Sequence, residues 1–161
     1  MRPLPIASLL LLAACGCPAC PEPSPRETTG GEVEPAASPA AEVRRLEDAP
    51  QRAAPPGTAT IALLARGNNA FVGRLEMEPN AAVPEHQDAD EEYIIVLQGH
   101  GRMTIDGVEH EVTPGSTIFM PAGATVSYQN GSERLVAIQV FAGPGSAAKY
   151  DRWTPIEGGA D

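Results

Sequence analysis

The sequence "PEHQDADEEYIIVLQG", residues 84–99, joins a cluster of titratable side chains to an apolar run that ends in glycine. Five carboxylates and one histidine fall within eight consecutive positions: Glu85, His86, Asp88, Asp90, Glu91 and Glu92. Like charges this close repel one another, so water, a cation or a function has to offset the repulsion. The run "YIIVLQG" is short and rich in β-branched residues, which predicts a buried strand directly after the charged cluster.

Short strands are predicted on both sides of this cluster. "AFVGRLEMEP" alternates, with Leu75 and Met77 on one face, as is typical of a half-buried strand. The Asp-Gly pair at 106–107 and the Asn-Gly pair at 130–131 each predict a hairpin. About eight strands in roughly a hundred residues, with no helical window, predict an all-β sandwich or small barrel. The tail from residue 146 predicts one short helical turn, and its Trp153 is expected to close one end of the core.

The spacing around His86 resembles the first motif of the cupin family, G-x5-H-x-H-x3-4-E-x6-G. His86 is followed two positions later by Asp88 and then, after three intervening residues, by Glu92. Gly99 stands where the motif ends in glycine, and Asn80 stands where the motif begins with one. The spacing of the motif is therefore kept, although its second histidine is an aspartate in this chain.

A second stretch resembles the second cupin motif, G-x5-P-x-G-x2-H-x3-N. Its positions are held by Gly115, Pro121, Gly123, Val126 and Asn130. The resemblance covers residues 70–141. It implies a small double-sheet β-barrel, a jelly roll, which in this family is often a homodimer.

The resemblance also implies a metal site, in which both histidines and the glutamate of the first motif join the histidine of the second. Here His86 and Glu92 keep their places, Asp88 replaces one histidine, and Val126 replaces the other. Two interpretations stay open. In the first, His86, Asp88 and Glu92 hold one divalent metal. The resemblance makes Mn, Fe, Ni and Zn candidates, while the hard oxygen ligands favour Mn²⁺, Mg²⁺ or Ca²⁺. In the second, the site is degenerate. The missing fourth ligand favours the degenerate site.

Three other side chains lie close in sequence to these motif positions. Tyr128 lies two residues past Val126, on the same face of a predicted strand, so both are candidates to line a ligand pocket. The Tyr128 hydroxyl either bonds a ligand or packs with its hydrogen bond satisfied within the protein, and packing is favoured. His100 in a turn and His110 on a hairpin strand are expected to be exposed and outside the site.

The first residues predict export and lipid anchoring. A short basic start and an apolar run of signal-peptide proportions end in "LAAC", which resembles the lipobox of bacterial lipoproteins. The prediction is a signal peptide at 1–14, acylation of Cys15, a Pro/Ala/Glu-rich tether at 15–56 and a folded domain at 57–161. Localisation in the cell envelope follows, with the outer membrane favoured because Gly16 succeeds Cys15. Cys17 and Cys20 form a C-x-x-C pair in a Pro-rich segment. A small disulfide between them and further acylation both stay open, and a catalytic role is not favoured.

The net charge of the predicted domain argues against two kinds of anionic partner. Residues 57–161 carry 6 Lys and Arg against 14 Asp and Glu, so the net charge is 6 − 14 = −8. Such a surface argues against nucleic acid and against binding an anionic membrane by charge. The membrane contact would therefore depend on the lipid at Cys15.

Three hypotheses of function remain at this stage. The leading one is a tethered barrel that binds a small molecule or a partner. The second is a metal-dependent enzyme of the oxygenase, isomerase or decarboxylase type that uses His86, Asp88 and Glu92. The third is an accessory structural lipoprotein. The fold alone does not choose among them, because many functions share it.

The lipid prediction can be tested by replacing its acceptor. We expect Cys15→Ser to abolish membrane association and leave an unprocessed precursor when the full chain is expressed in a bacterial host and fractionated. Cys17→Ser is the matched control and should behave as wild type. Unchanged processing and membrane association in Cys15→Ser would contradict the prediction.

Overall fold

A computed structural model describes residues 39–143 and 145–157. Within these ranges the chain forms eleven strands and one 3₁₀ helix, Ser146–Arg152. The strands are β1 Gln51–Ala53, β2 Ala59–Arg66, β3 Phe71–Met77, β4 Ala82–His86, β5 Glu91–Gln98, β6 Gly101–Ile105, β7 Val108–Val112, β8 Thr117–Met120, β9 Val126–Asn130, β10 Leu135–Ala142 and β11 Thr154–Pro155. No helix among these residues is long and apolar enough to cross a membrane.

The strands form two antiparallel sheets. One sheet has seven strands in the order β11-β1-β2-β3-β10-β5-β8, and the other has four in the order β4-β9-β6-β7. This confirms the predicted all-β barrel of jelly-roll type. The hairpin at residues 106–107 is confirmed as well, because β6 and β7 pair directly and both turn residues have positive φ.

Buried and more exposed side chains alternate along the strands, and the buried ones form the core between the two sheets. In β3, Phe71, Gly73, Leu75 and Met77 are buried, while the residues between them are half-buried. Side chains of successive residues point to opposite faces of a sheet, so one face of each strand enters the barrel. Trp153 packs against this core from the segment that follows the 3₁₀ helix, as expected for a side chain that closes one end.

Two strand predictions need correction. The run "YIIVLQ" is a strand, β5, but only one of its faces is buried: Ile95 and Leu97 are 41% and 52% exposed on the outer face. The Asn-Gly pair at 130–131 does not form a hairpin, because β9 pairs with β4 and β6 while β10 lies in the other sheet. Asn130 is instead buried, and its side-chain amide donates to the carbonyls of Glu78 and Glu133.

The folded part also begins earlier than residue 57. β1 pairs with β2 and β11, and Ala49 just before it is buried. The end of the predicted tether therefore belongs to the larger sheet, because its backbone groups pair with strands on both sides. The prolines at 55–56 follow this strand and do not interrupt it. The predicted signal peptide and Cys15, Cys17 and Cys20 lie outside the described residues.

Candidate functional site

Two metal-ligand positions of the first motif keep their residue type in this chain, as His86 and Glu92. The fold places both residues at one end of the barrel. His86 is the last residue of β4 and is paired with Val126 of β9, while Glu92 is the second residue of β5. The strand β4 ends at His86, so Asp88 lies in the β4–β5 loop. It is therefore not on the same strand face as His86, which two residues two apart on one strand would share. The loop nevertheless brings the Asp88 carboxylate to 3.6 Å from His86 Nε2.

Glu92 is held inside the barrel by a relay of hydrogen bonds. Its side chain is directed inward and the residue is 5% exposed. The Gln139 amide on β10 donates to Glu92 Oε1, and the Tyr150 hydroxyl donates to Gln139 Oε1. Burial raises the pKa of Glu92, against the opposing effects of Gln139 and Lys149, and burial also raises the pKa of Tyr150 well above its usual value.

Asp88 is held by two positively polarised partners. Lys149 Nζ lies 2.8 Å from Asp88 Oδ2, and His86 Nε2 faces the same oxygen. Burial acts to raise the pKa of Asp88, but the contacts with His86 and Lys149 together hold it below its usual value. The contact with Asp88 raises the pKa of His86, whose Nδ1 lies 3.0 Å from the carbonyl oxygen of Pro84.

Lys149 reaches this site from the 3₁₀ helix. It is the only lysine in the chain, and its Nζ lies 4.6 Å from the centre of the Phe141 ring, within the range of a cation–π contact. The start of the helix is fixed by Asp90: the Ser146 backbone N–H donates to Asp90 Oδ2 at 2.6 Å, and Asp90 N–H donates to Ser146 Oγ at 3.2 Å. A Cβ at Gly143 would collide with the Asp90 side chain, so a larger residue there would displace Asp90.

The side chains present do not fit a divalent metal as they stand. Val126 is buried and offers no lone pair in the place of the fourth ligand. The ammonium of Lys149 already contacts Asp88, and a dication beside it would meet direct repulsion. In the two described ranges, no group of three His, Cys, Asp or Glu side chains converges as a metal site would require.

The remaining candidates divide between the barrel interior and the surface. Val126 and Tyr128 both line a cavity inside the barrel, and the Tyr128 hydroxyl donates to Asn130 Oδ1 at 3.3 Å, so it packs with its hydrogen bond satisfied. Burial raises the pKa of Tyr128 to about 12. His100 and His110 are exposed on the surface, as predicted, and neither lines the cavity.

Sequence reasoning missed Gln139, Lys149 and Tyr150. A signal for Gln139 exists, since it is the one polar side chain at an inward position of the apolar strand "LVAIQVFA". Lys149 and Tyr150 gave no comparable signal. They lie in a tail whose short helical turn was predicted, but only the tertiary structure brings that turn to Glu92 and Asp88.

A cavity of about 360 Å³ extends from this polar end along the inside of the barrel. Its walls are mainly apolar and come from both sheets, among them Leu75, Ile94, Val96, Met103, Met120 and Leu135. Polar groups are concentrated where His86, Glu92, Gln139, Lys149 and Tyr150 meet. An apolar interior with a few convergent polar groups is typical of sites for small organic molecules.

Comparison with known proteins agrees with this architecture. The family model described as "Cupin domain" matches residues 73–141. An RmlC-like cupin from Shewanella frigidimarina superposes with a TM-score of 0.61 at 15% identity, over 68% of this chain and 96% of that one. The chain therefore contains a domain of the cupin superfamily.

Two curated proteins are similar in sequence over part of their length. The chain is 31% identical to dimethylsulfoniopropionate lyase DddW of Ruegeria pomeroyi over 52% of this chain and 55% of that protein. It is 39% identical to vicilin GC72-A of Gossypium hirsutum over 44% of this chain and 13% of that protein. The chain thus spans about half or less of the curated relatives that it matches. The comparisons support a cupin that binds a small molecule or depends on a metal.

The buried carboxyl of Glu92 predicts that the stability of the protein depends on pH. The folded-state pKa of Glu92 is raised above its usual 4.5. The stabilisation that results is therefore complete below pH 4.5 and is lost as the pH rises through the folded-state pKa. Glu92→Gln keeps the shape of the side chain without the charge. We expect the variant to gain stability relative to wild type as the pH rises from about 4 to about 8, measured by urea unfolding.

The exposed neighbour Glu91 provides the control for this measurement. Glu91→Gln changes the same functional group one position away, on the outer face of β5. It should leave the difference from wild type nearly constant over the same pH range. A Glu92→Gln variant whose stability relative to wild type does not change with pH, or falls as the pH rises, would contradict the account of Glu92.

Proposed function

We propose that the barrel binds a small organic molecule with an apolar body and one polar end. The observation that carries the proposal is the cavity of about 360 Å³, whose walls are mainly apolar and whose lining includes the polar side chains of Glu92 and Lys149. In this arrangement the apolar body of the ligand replaces water along the walls, and its polar end exchanges hydrogen bonds with the cluster. The hydrophobic contribution scales with the apolar area removed from water, about 25 cal/mol per Å².

The polar end of the cavity suits orientation of a ligand. Lys149 and Tyr150 carry donors, and Asp88 and Glu92 carry acceptors, within one cluster. A ligand whose polar group faces the cluster gains hydrogen bonds there, whereas the reversed pose buries the ligand's own polar group against the apolar walls without a partner. Leaving a buried polar group unpaired costs about 1–3 kcal/mol, enough to fix the direction in which the ligand enters.

The second candidate is an enzyme that acts on the bound molecule. The observation that favours it is Glu92, a buried carboxyl with a raised pKa that lines the cavity, because such groups can act as general acids or bases toward a bound ligand. The partial similarity to a dimethylsulfoniopropionate lyase makes that compound one reasonable substrate to try. The metal-dependent version, with His86, Asp88 and Glu92 as ligands, is the weaker form because of Lys149 and Val126.

The setting of the barrel is a separate proposal. Lipid anchoring at Cys15 would hold the domain in the bacterial cell envelope, and this depends on the sequence pattern "LAAC" alone. The homodimer implied by the family and the absence of nucleic-acid binding likewise remain predictions. None of these affects the proposal for the cavity.

The proposal is tested by filling the cavity. Ile94 is buried and lines it, so Ile94→Phe adds volume where the ligand would lie. The probes are hexanol, hexanoate and hexylamine, which share an apolar tail and differ in the charge of the polar group. Binding is followed through Trp153, the only tryptophan, which lines the same cavity. We expect saturable binding of at least one probe to wild type and a loss of about tenfold or more in the variant.

Ile95→Phe is the matched control for this experiment. It makes the same substitution one residue further along β5, on the exposed outer face, and should bind as wild type does. If no probe saturates wild type, or if Ile94→Phe binds as tightly as Ile95→Phe, the cavity is not the binding site.

Mass spectrometry of dimethylsulfoniopropionate incubated with the full chain separates the two candidates: conversion that Glu92→Gln abolishes would favour the enzyme.

A further inference from the structure

We propose that the ammonium group of Lys149 is the resident cation of this barrel, in the place where a divalent metal would otherwise neutralise the acidic side chains. Lys149, carried on the 3₁₀ helix, is then an internal counter-ion that makes the site independent of metal. This inference does not depend on which ligand occupies the cavity, so it goes beyond the proposed function.

The position of Lys149 supports this role. Its Nζ contacts Asp88 at 2.8 Å, and its charge also acts on Glu92 and on His86, the other two residues at the metal-ligand positions of the first motif. It lines the same cavity as Glu92 and His86. The cation therefore contacts one of the three side chains that a metal ion would have to share and lies in the cavity that the other two line.

The rest of the site is adapted to an ammonium group. Nζ lies 4.6 Å from the centre of the buried Phe141 ring and 5.8 Å from that of Tyr150, so aromatic faces partly replace its hydration shell. Glu92 accepts a hydrogen bond from Gln139, which occupies one of the oxygens that a metal would use. Val126 provides hydrocarbon at the fourth ligand position.

The helix that carries Lys149 is anchored independently on two sides. Asp90 holds its first residue, as described above, and Arg66 donates to the Ala147 carbonyl at 2.9 Å while contacting Asp151 at 3.2 Å. These contacts fix the helix without any contribution from Lys149. The ammonium is therefore positioned by the fold, and replacing Lys149 should leave the carboxylates in place without their cation.

The test is to remove the charge and offer a metal. Lys149→Gln keeps a polar side chain without the charge, and Lys149→Arg keeps the charge; each is made in the wild-type chain and in a Val126→His background that restores an imidazole. Mn²⁺ is titrated into each folded full chain by calorimetry. We expect the affinity for Mn²⁺ to rise by about tenfold or more on Lys149→Gln in at least one background, and not on Lys149→Arg.

An affinity for Mn²⁺ that Lys149→Gln leaves unchanged in both backgrounds, including no measurable binding in any of the chains, would overturn the proposal. A wild-type chain that already binds Mn²⁺ as tightly as the Lys149→Gln variant would overturn it as well. If Lys149→Gln does not fold, acetylation of the folded chain provides the same change, because Lys149 is the only lysine. The acetylated chain should then gain affinity for Mn²⁺ over the unmodified one.

Discussion

Burial of the Glu92 carboxyl in an apolar barrel is the constraint around which the site is built. A carboxyl that is 5% exposed has lost most of its water and must find partners within the protein. Gln139 supplies a donor, Tyr150 orients Gln139, and Lys149 supplies a positive charge nearby. Each of these partners comes from β10 or from the 3₁₀ helix after it, so the end of the chain completes a site that the first motif begins.

The same constraint explains why the C-terminal segment packs on the barrel. Tyr150 is among the most completely buried side chains, and its ring contacts Phe71 and Trp153. The segment therefore contributes both apolar area and the polar groups that Glu92 needs. In a barrel that held a metal ion, the ion itself could neutralise the carboxylates. Here the ammonium of Lys149 contacts the Asp88 carboxylate, and the fold has to hold that side chain in place.

The sequence was sufficient for the architecture and for half of the site. Alternation in β3 and the Asp-Gly hairpin at 106–107 are local patterns, and the motif spacing located His86, Asp88, Glu92 and Val126. The outer face of β5 was misjudged because a run of apolar residues does not show which side of a strand is covered. Lys149 was missed because its contact with Asp88 joins residues far apart in the chain, and no local pattern records such a contact.

The most direct test of this account is the metal content of the wild-type protein. The full chain would be purified without chelators, dialysed against metal-free buffer and analysed for Mn, Fe, Ni and Zn by elemental analysis. If Lys149 is the cation of the site, each of these metals should be present far below one per chain. One tightly held divalent metal per chain would contradict the account, because the ammonium of Lys149 and that ion cannot both occupy the space beside Asp88.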